Sequence, residues 1–358
     1  MNSKERVLCA INLGVPDRVP MDFSANQGTL DRLYRDLNVS SYMGLLKYLH
    51  IDIFDLRGVI DPIYKGPVPK ETYLTNGVKQ NFWGMRTRIM ETPTGPEECY
   101  CDFVLKDITE AREMDKHLWP SADWFDFSDI ENRLKLWKEF CIMITGVSMF
   151  QHASFLRGLE NLLMDMICNK ELAHYLMDKF TNFYIEYFDR LITYAKGNID
   201  ILRIADDIGM QNKQLVGTNT FNEFFSPRIK KIVDMAHSHN VKIMYHSCGS
   251  IIPFIEKLID LGVDILDPIQ VRAKDMNPKD IKDNFGSSIC LHGSIDTQYI
   301  LPKGSVKDIE EEVKKMIDIL GKNGGFIISP SHVLQTDVST ANVEALYSTA
   351  YKYGIYEV

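Results

Sequence analysis

The chain lacks any run of about 18 apolar residues, so a membrane-spanning helix is not expected. It also lacks an apolar core behind Met1. Ser3 reads as an N-cap with Glu5 and Arg6 behind it, opening a helix over residues 4–13, and a cytoplasmic location is expected. An excess of positive charge is missing too: 40 Lys and Arg stand against 49 Asp and Glu, a formal net charge of -9, which argues against nucleic-acid binding. The seven cysteines are scattered and odd in number, which does not suit a disulfide framework. Cys99-Tyr-Cys101 is the one close pair, with no second cluster to complete a metal site. No G-x-G-x-x-G follows the first expected strand, and no Walker sequence, solenoid-length repeat or low-complexity segment occurs. These absences leave small-molecule chemistry.

What is present is a regular alternation. Strands are expected at Val19–Phe23, Ile51–Leu56, Cys141–Gly146, Asp200–Ala205, Lys242–Tyr245, Val263–Leu266, Ile289–Leu291 and Gly325–Ile328, with helical stretches between them. Eight short strands, each followed by a helix, specify an α/β fold of the (β/α)8 TIM-barrel type in a single domain spanning residues 1–358. Residues 66–107 break the rhythm. They are rich in Gly, Pro, Thr and aromatics, with turns at Gly77, Gly84 and Thr94-Gly95-Pro96, and read as an inserted antiparallel hairpin. Its aromatic part, Phe82–Tyr100, is read as a homodimer surface or a lid.

In such a barrel the site lies at the carboxyl ends of the strands. The residues expected there are polar: Asp22 and Asn26, Asp55 and Arg57, Gln151 and His152, Asp206 and Asp207, His246 and Cys248, Asp267 and Gln270, His292 and Gln298, His332 and Gln335. Four of the nine histidines fall in these positions. His246 and Cys248 leave one strand end on the same face, an imidazole and a thiol that form either a metal-ligand pair or two core residues. His332 or His292 supplies a third ligand if a catalytic zinc is bound. Asp206-Asp207 reads as a solvated helix start or as carboxylates that orient a ligand histidine or serve as a general base. Asp22, Asn26, Asp206, Gln298 and Gln335 are the expected substrate contacts, and Gly249 and Gly293 the tight turns.

Several segments in order resemble the uroporphyrinogen decarboxylase superfamily, and within it the branch of zinc- and corrinoid-dependent methyltransferases. They are Ser3-Lys-Glu-Arg-Val with Pro16-Asp-Arg-Val-Pro20, Ala205-Asp-Asp-Ile-Gly-Met-Gln211, His246-Ser-Cys-Gly-Ser250, His292-Gly-Ser-Ile-Asp-Thr-Gln298 and Ser329-Pro-Ser-His332. The resemblance covers nearly the whole chain. The decarboxylase proper carries an arginine-rich loop after its first strand; here that loop is Ser24-Ala-Asn-Gln-Gly28, without a charge partner for a poly-anionic tetrapyrrole. Arg57, Arg157 and Arg203 are the only arginines expected near the mouth. The methyltransferase branch implies zinc on His246, Cys248 and, where that branch has a cysteine, His332. It further implies transfer of a methyl group from a small O- or N-methyl substrate to a separate corrinoid protein, assisted by Asp207 or His292. A decarboxylase of the parent type, a zinc-dependent hydrolase or lyase, and a non-catalytic corrinoid- or tetrapyrrole-binding protein are the rival readings.

Overall fold

In the computed structural model, which describes residues 1–92 and 95–356, the frame is a curled sheet of seven parallel strands. In order they are β1 (Ile53–Asp55), β2 (Cys141–Val147), β3 (Ile201–Ala205), β4 (Lys242–His246), β5 (Ile265–Ile269), β6 (Cys290–Ile295) and β7 (Phe326–Pro330). Each pairs with the next in the chain. Their sequences are near-continuous apolar runs because helices cover the outer face while the inner face is also filled. Helices Lys170–Ala195, Ser226–Ser238, Ile252–Leu261, Val306–Leu320 and Thr340–Tyr353 supply that outer layer.

Val19–Phe23, expected as a strand, does not reach strand length. Pro20–Asp22 instead lies between the two ends of the sheet, held by single backbone bonds. Ile328 N–H donates to the Pro20 carbonyl and Asp22 N–H to that of Ile328, while Asp52 N–H donates to the carbonyl of Met21. Two prolines' worth of missing donors and fixed φ at Pro16 and Pro20 explain why this stretch bridges rather than pairs at length.

The amino end of the sheet is plugged. Helix Ser3–Ile11 places Val7, Ala10 and Ile11 against Ile53, Cys141, Met143, Ile201, Met244, Ile265, Cys290 and Ile327, two from β2 and one from each other strand, and all are buried. The helix is capped by Asn2, one residue before the expected Ser3. Asn2 Oδ1 accepts the Glu5 N–H at 2.8 Å and the Glu5 carboxylate accepts the Asn2 N–H at 3.0 Å.

Where one hairpin is expected, Glu71–Tyr73, Val78–Asn81, Arg86–Thr92 and Gly95–Cys101 form a four-stranded antiparallel sheet. Of the expected Thr94-Gly95-Pro96 turn, Thr94 lies outside the described residues. Trp83 anchors this sheet by stacking on Phe180 of helix Lys170–Ala195, with ring centroids 4.7 Å apart.

Candidate metal centre

At the carboxyl end of the sheet β5 runs three and β6 four residues further than the sequence pattern suggests. Asp267 and His292 therefore sit inside β5 and β6 rather than after them. Register then makes neighbours: His246 is paired with Asp267 across β4 and β5, and with Ala205 across β3 and β4, so Arg203, two residues earlier in β3, shares their face.

The result is a connected set of charges. Asp267 Oδ2 accepts from Arg203 Nε at 2.9 Å and from His246 Nδ1 at 2.7 Å, and Asp267 Oδ1 accepts from His292 Nδ1 at 2.7 Å. His292 Nε2 lies 3.0 Å from Asp22 Oδ2. Burial alone would raise the Asp267 pKa, but the charges of Arg203, His292 and His246 hold it well below the usual carboxylate range. Burial likewise works against a charged His292, yet Asp267 and Asp22 push its pKa up to about 9, so the ring is an imidazolium at neutral pH.

His246 Nδ1 faces both the ionised Asp267 carboxylate, at 2.7 Å, and Arg203 Nη2, at 2.6 Å; a proton on Nδ1 satisfies the carboxylate. With the proton on Nδ1, the lone pair of Nε2 points away from the carboxylate, toward Cys248 Sγ at 3.6 Å and Asp207 Oδ1 at 3.7 Å. Asp207 is itself oriented: Gln151 Nε2 donates to one oxygen and the Cys248 N–H to the other, both at 2.8 Å. One ligand atom each from Asp207, His246 and Cys248 lies within 4.8 Å of the other two. Burial, followed by the charges of Asp207 and Asp267, pushes the Cys248 thiol well above its usual range, and the charge of Arg203 offsets this only in part. Gly249, at φ +87, completes the turn, since a Cβ there would meet the Gly209 carbonyl carbon at 2.5 Å.

Of the three expected ligands, the structure brings His246 and Cys248 together. His332 is not a member of the group: it is exposed and its Nδ1 faces the carbonyl of Val333 at 3.2 Å, although the residue lines the same cavity. Asp207 takes that place. The cause is chain direction, because His332 follows β7 across the opening whereas Asp207, His246 and Cys248 come from adjacent strand ends.

The expected substrate contacts divide in the same way. Asp22 and His292 line the cavity beside Asp207 and His246. Asp206 does not: it is fully buried, accepting the N–H groups of Met149, Phe150 and Gln151 and the Ser148 hydroxyl as the cap of helix Met149–Arg157. Burial raises its pKa to about 7 against those donors. Asn26 caps helix Gln27–Asp36 and donates to Gln335 at 2.7 Å, so these two serve each other. Gln298 is exposed and turns toward Gln211. Arg157 is buried, binding Asp165 and three backbone carbonyls, and takes no part in the mouth. Arg203 and Asp267 are the residues whose importance spacing alone underrates, because their partners come from other strands.

Comparison with known proteins agrees with this architecture. The methylcobamide:CoM methyltransferase MtbA of Methanosarcina acetivorans is 25% identical over 225 residues, 61% of this chain and 61% of that protein. The protein of the same name from Methanosarcina mazei is 25% identical over 215 residues, 58% of this chain and 59% of its own length. The match thus spans about three fifths of these relatives. A solved methyltransferase from Methanosarcina mazei shares the fold over 99% of both chains, with a TM-score of 0.71 at 16% identity. Residues 135–353, which hold six of the seven strands and the whole Asp207, His246 and Cys248 group, match the model of the uroporphyrinogen decarboxylase (URO-D) family, to which the chain belongs.

Proposed function

We propose that the chain is a zinc-dependent methyltransferase that moves a methyl group from a small methylated substrate to a corrinoid protein. The observation that carries this reading is the Asp207, His246 and Cys248 group, with Asp267 behind His246 on the Nδ1 side of the ring. Carboxylate oxygen, imidazole nitrogen and a single thiolate form a donor set that zinc accepts, with a further position left for substrate. What a zinc ion supplies in such a setting is Lewis acidity toward the heteroatom that bears the methyl group.

The chain's own residues do the rest. Gln151 and the Cys248 N–H fix Asp207, and Arg203 fixes Asp267, so the ligand atoms are pre-positioned. The Asp22 and His292 pair holds a proton at the cavity wall, available to the heteroatom once its methyl group has left. The corrinoid protein docks over the carboxyl end of the sheet. The bridged segment Pro20–Asp22 supports reading that sheet as a closed (β/α)8 barrel in one domain.

The names of the relatives favour a second reading with the same residues, in which methylcobamide is the donor and a thiol the acceptor. A decarboxylase of the parent type is less well supported, because Arg157 is occupied elsewhere and Arg203 is bound to Asp267. Metal analysis of protein purified under reducing conditions tests the first step; stoichiometric zinc is expected, and none would sink the proposal. Mixing with a reduced corrinoid protein and a methylated donor, then with the methylated corrinoid protein and a thiol, distinguishes the two directions.

A further inference from the structure

Beside the metal-binding group lies a recess that the methyl-transfer reading leaves unexplained, and the inference drawn from it rests on that reading. The recess shares Phe23, Ser24, Asp55 and Arg57 with the central cavity and continues between helices Gln27–Asp36 and Tyr42–Tyr48. Three aromatic residues, Phe23, Tyr34 and Tyr42, line it together with the apolar Leu30 and Val59 and the Arg57 side chain. Phe23 is held edge-on by Tyr347 at 6.0 Å between centroids, and Tyr42 lies against Phe54 and Trp137 at 6.3 and 6.4 Å. Both rings are thus fixed by packing before any ligand enters.

Asp55, the last residue of β1, stands where the recess meets the cavity. One carboxylate oxygen accepts the Arg57 N–H at 3.0 Å and the other the Thr145 hydroxyl at 3.1 Å, both neutral donors. The Arg57 guanidinium approaches no closer than 3.9 Å and is mostly in solvent. Burial raises the Asp55 pKa, and the charges of Arg57 and Arg203 only partly offset it. Aromatic side chains beside a loosely paired carboxylate suit a weakly hydrated organic cation, attracted by both quadrupole and charge. A neutral aryl ether would gain only the rings.

We propose that this recess binds the cationic head of a methylated amine, a tertiary or quaternary ammonium group, and so selects N-methyl over O-methyl donors. Phe23, Tyr34 and Tyr42 surround the methyl groups, and Asp55 supplies the charge on the side facing the metal-binding group.

Titration calorimetry on zinc-loaded protein with tetramethylammonium and with anisole tests the proposal. Saturable binding of tetramethylammonium is expected, with anisole weaker. Asp55→Asn, which keeps the shape, should weaken the cation by about tenfold or more, and Tyr34→Leu at the rim by a few-fold. Arg57→Ala should tighten it, since a like charge is removed. Thermal unfolding confirms that each variant is folded, and the opposite signs at Asp55 and Arg57 are not produced by misfolding. Absence of saturable binding, unchanged affinity in Asp55→Asn, or tighter binding of anisole overturns the proposal. A protein that holds zinc and demethylates an aryl ether, yet ignores tetramethylammonium, keeps the methyl-transfer reading and loses this one.

Discussion

The two ends of the sheet use the same residue types for opposite purposes. At the amino end, fully buried Asp52 accepts four donors: Arg6 at 2.7 Å, two nitrogens of Arg18 at 2.7 and 2.9 Å, and the Met21 N–H at 2.9 Å. Asp17 takes the other side of Arg6. Every charge there is spent on another, and the helix Ser3–Ile11 seals the apolar interior beneath. At the carboxyl end, Asp267 is as fully paired as Asp52, but of its partners His246 turns a second nitrogen toward Cys248 and Asp207, while that of His292 meets Asp22. The teaching is that a buried ion pair by itself marks neither stability nor function. What distinguishes the site is the set of ligand atoms gathered there: His246 Nε2, Cys248 Sγ and an Asp207 oxygen lie within 4.8 Å of one another.

Perturbing the ends separately should break the comparison if it is wrong. The largest effect is expected from His246→Ala or Cys248→Ala, which should abolish stoichiometric zinc and methyl transfer together, read by metal analysis and by a corrinoid methylation assay. Zinc retained in either variant would show that the metal, if present, sits elsewhere. Asp267→Asn should weaken zinc about 10- to 100-fold in a chelator competition, because His246 loses the carboxylate behind its Nδ1 while all three ligands remain. Asp52→Ala carries the reverse signature. It strands Arg6 and Arg18 at the sealed end and should lower the unfolding free energy by about 3–5 kcal/mol in denaturant titrations, with zinc affinity unchanged.

The smallest effects are in the pH profile, where the ends should fail on opposite sides. The folded pKa of His292, about 9, lies above the ordinary 6.5. Its contribution to stability is therefore complete below pH 6.5 and lost as the pH rises through 9. Asp17 behaves in the opposite sense. The Arg6 guanidinium, bonded to its carboxylate, lowers its pKa from 3.8 even though burial opposes this, so its contribution is complete above pH 3.8 and lost as the pH falls further. Denaturant titrations across pH should show a shallow alkaline limb that His292→Gln removes and an acid limb that Asp17→Asn removes. Exchange of those two assignments would contradict the charge pattern described above.

Residues close in sequence were legible before the structure, and residues brought together by the sheet were not. His246 and Cys248 could be paired because period two puts i and i+2 on one face. Asp207 was recognised as a site carboxylate, yet its place beside them depends on β3 and β4 being neighbours in register. The residues leave His332 and His292 open for that place and the family resemblance favours His332, but neither carries information about which side of the opening β7 faces. Asp206 and Asp207, adjacent in sequence, were indistinguishable there; a helix N-terminus from residues 149–151 claims the first and leaves the second free.

By itself, the sequence determined the alternation of strand and helix, the polar character of the strand ends and the His-x-Cys pair, because these follow from local periodicity. Tertiary structure alone decided the third member of the group, the role of Asp267 in orienting His246, and the sealing of one end against the openness of the other. These depend on hydrogen bonds and charges between residues 21 to 270 positions apart, whose strength falls steeply with distance and which exist only once the sheet has set its register.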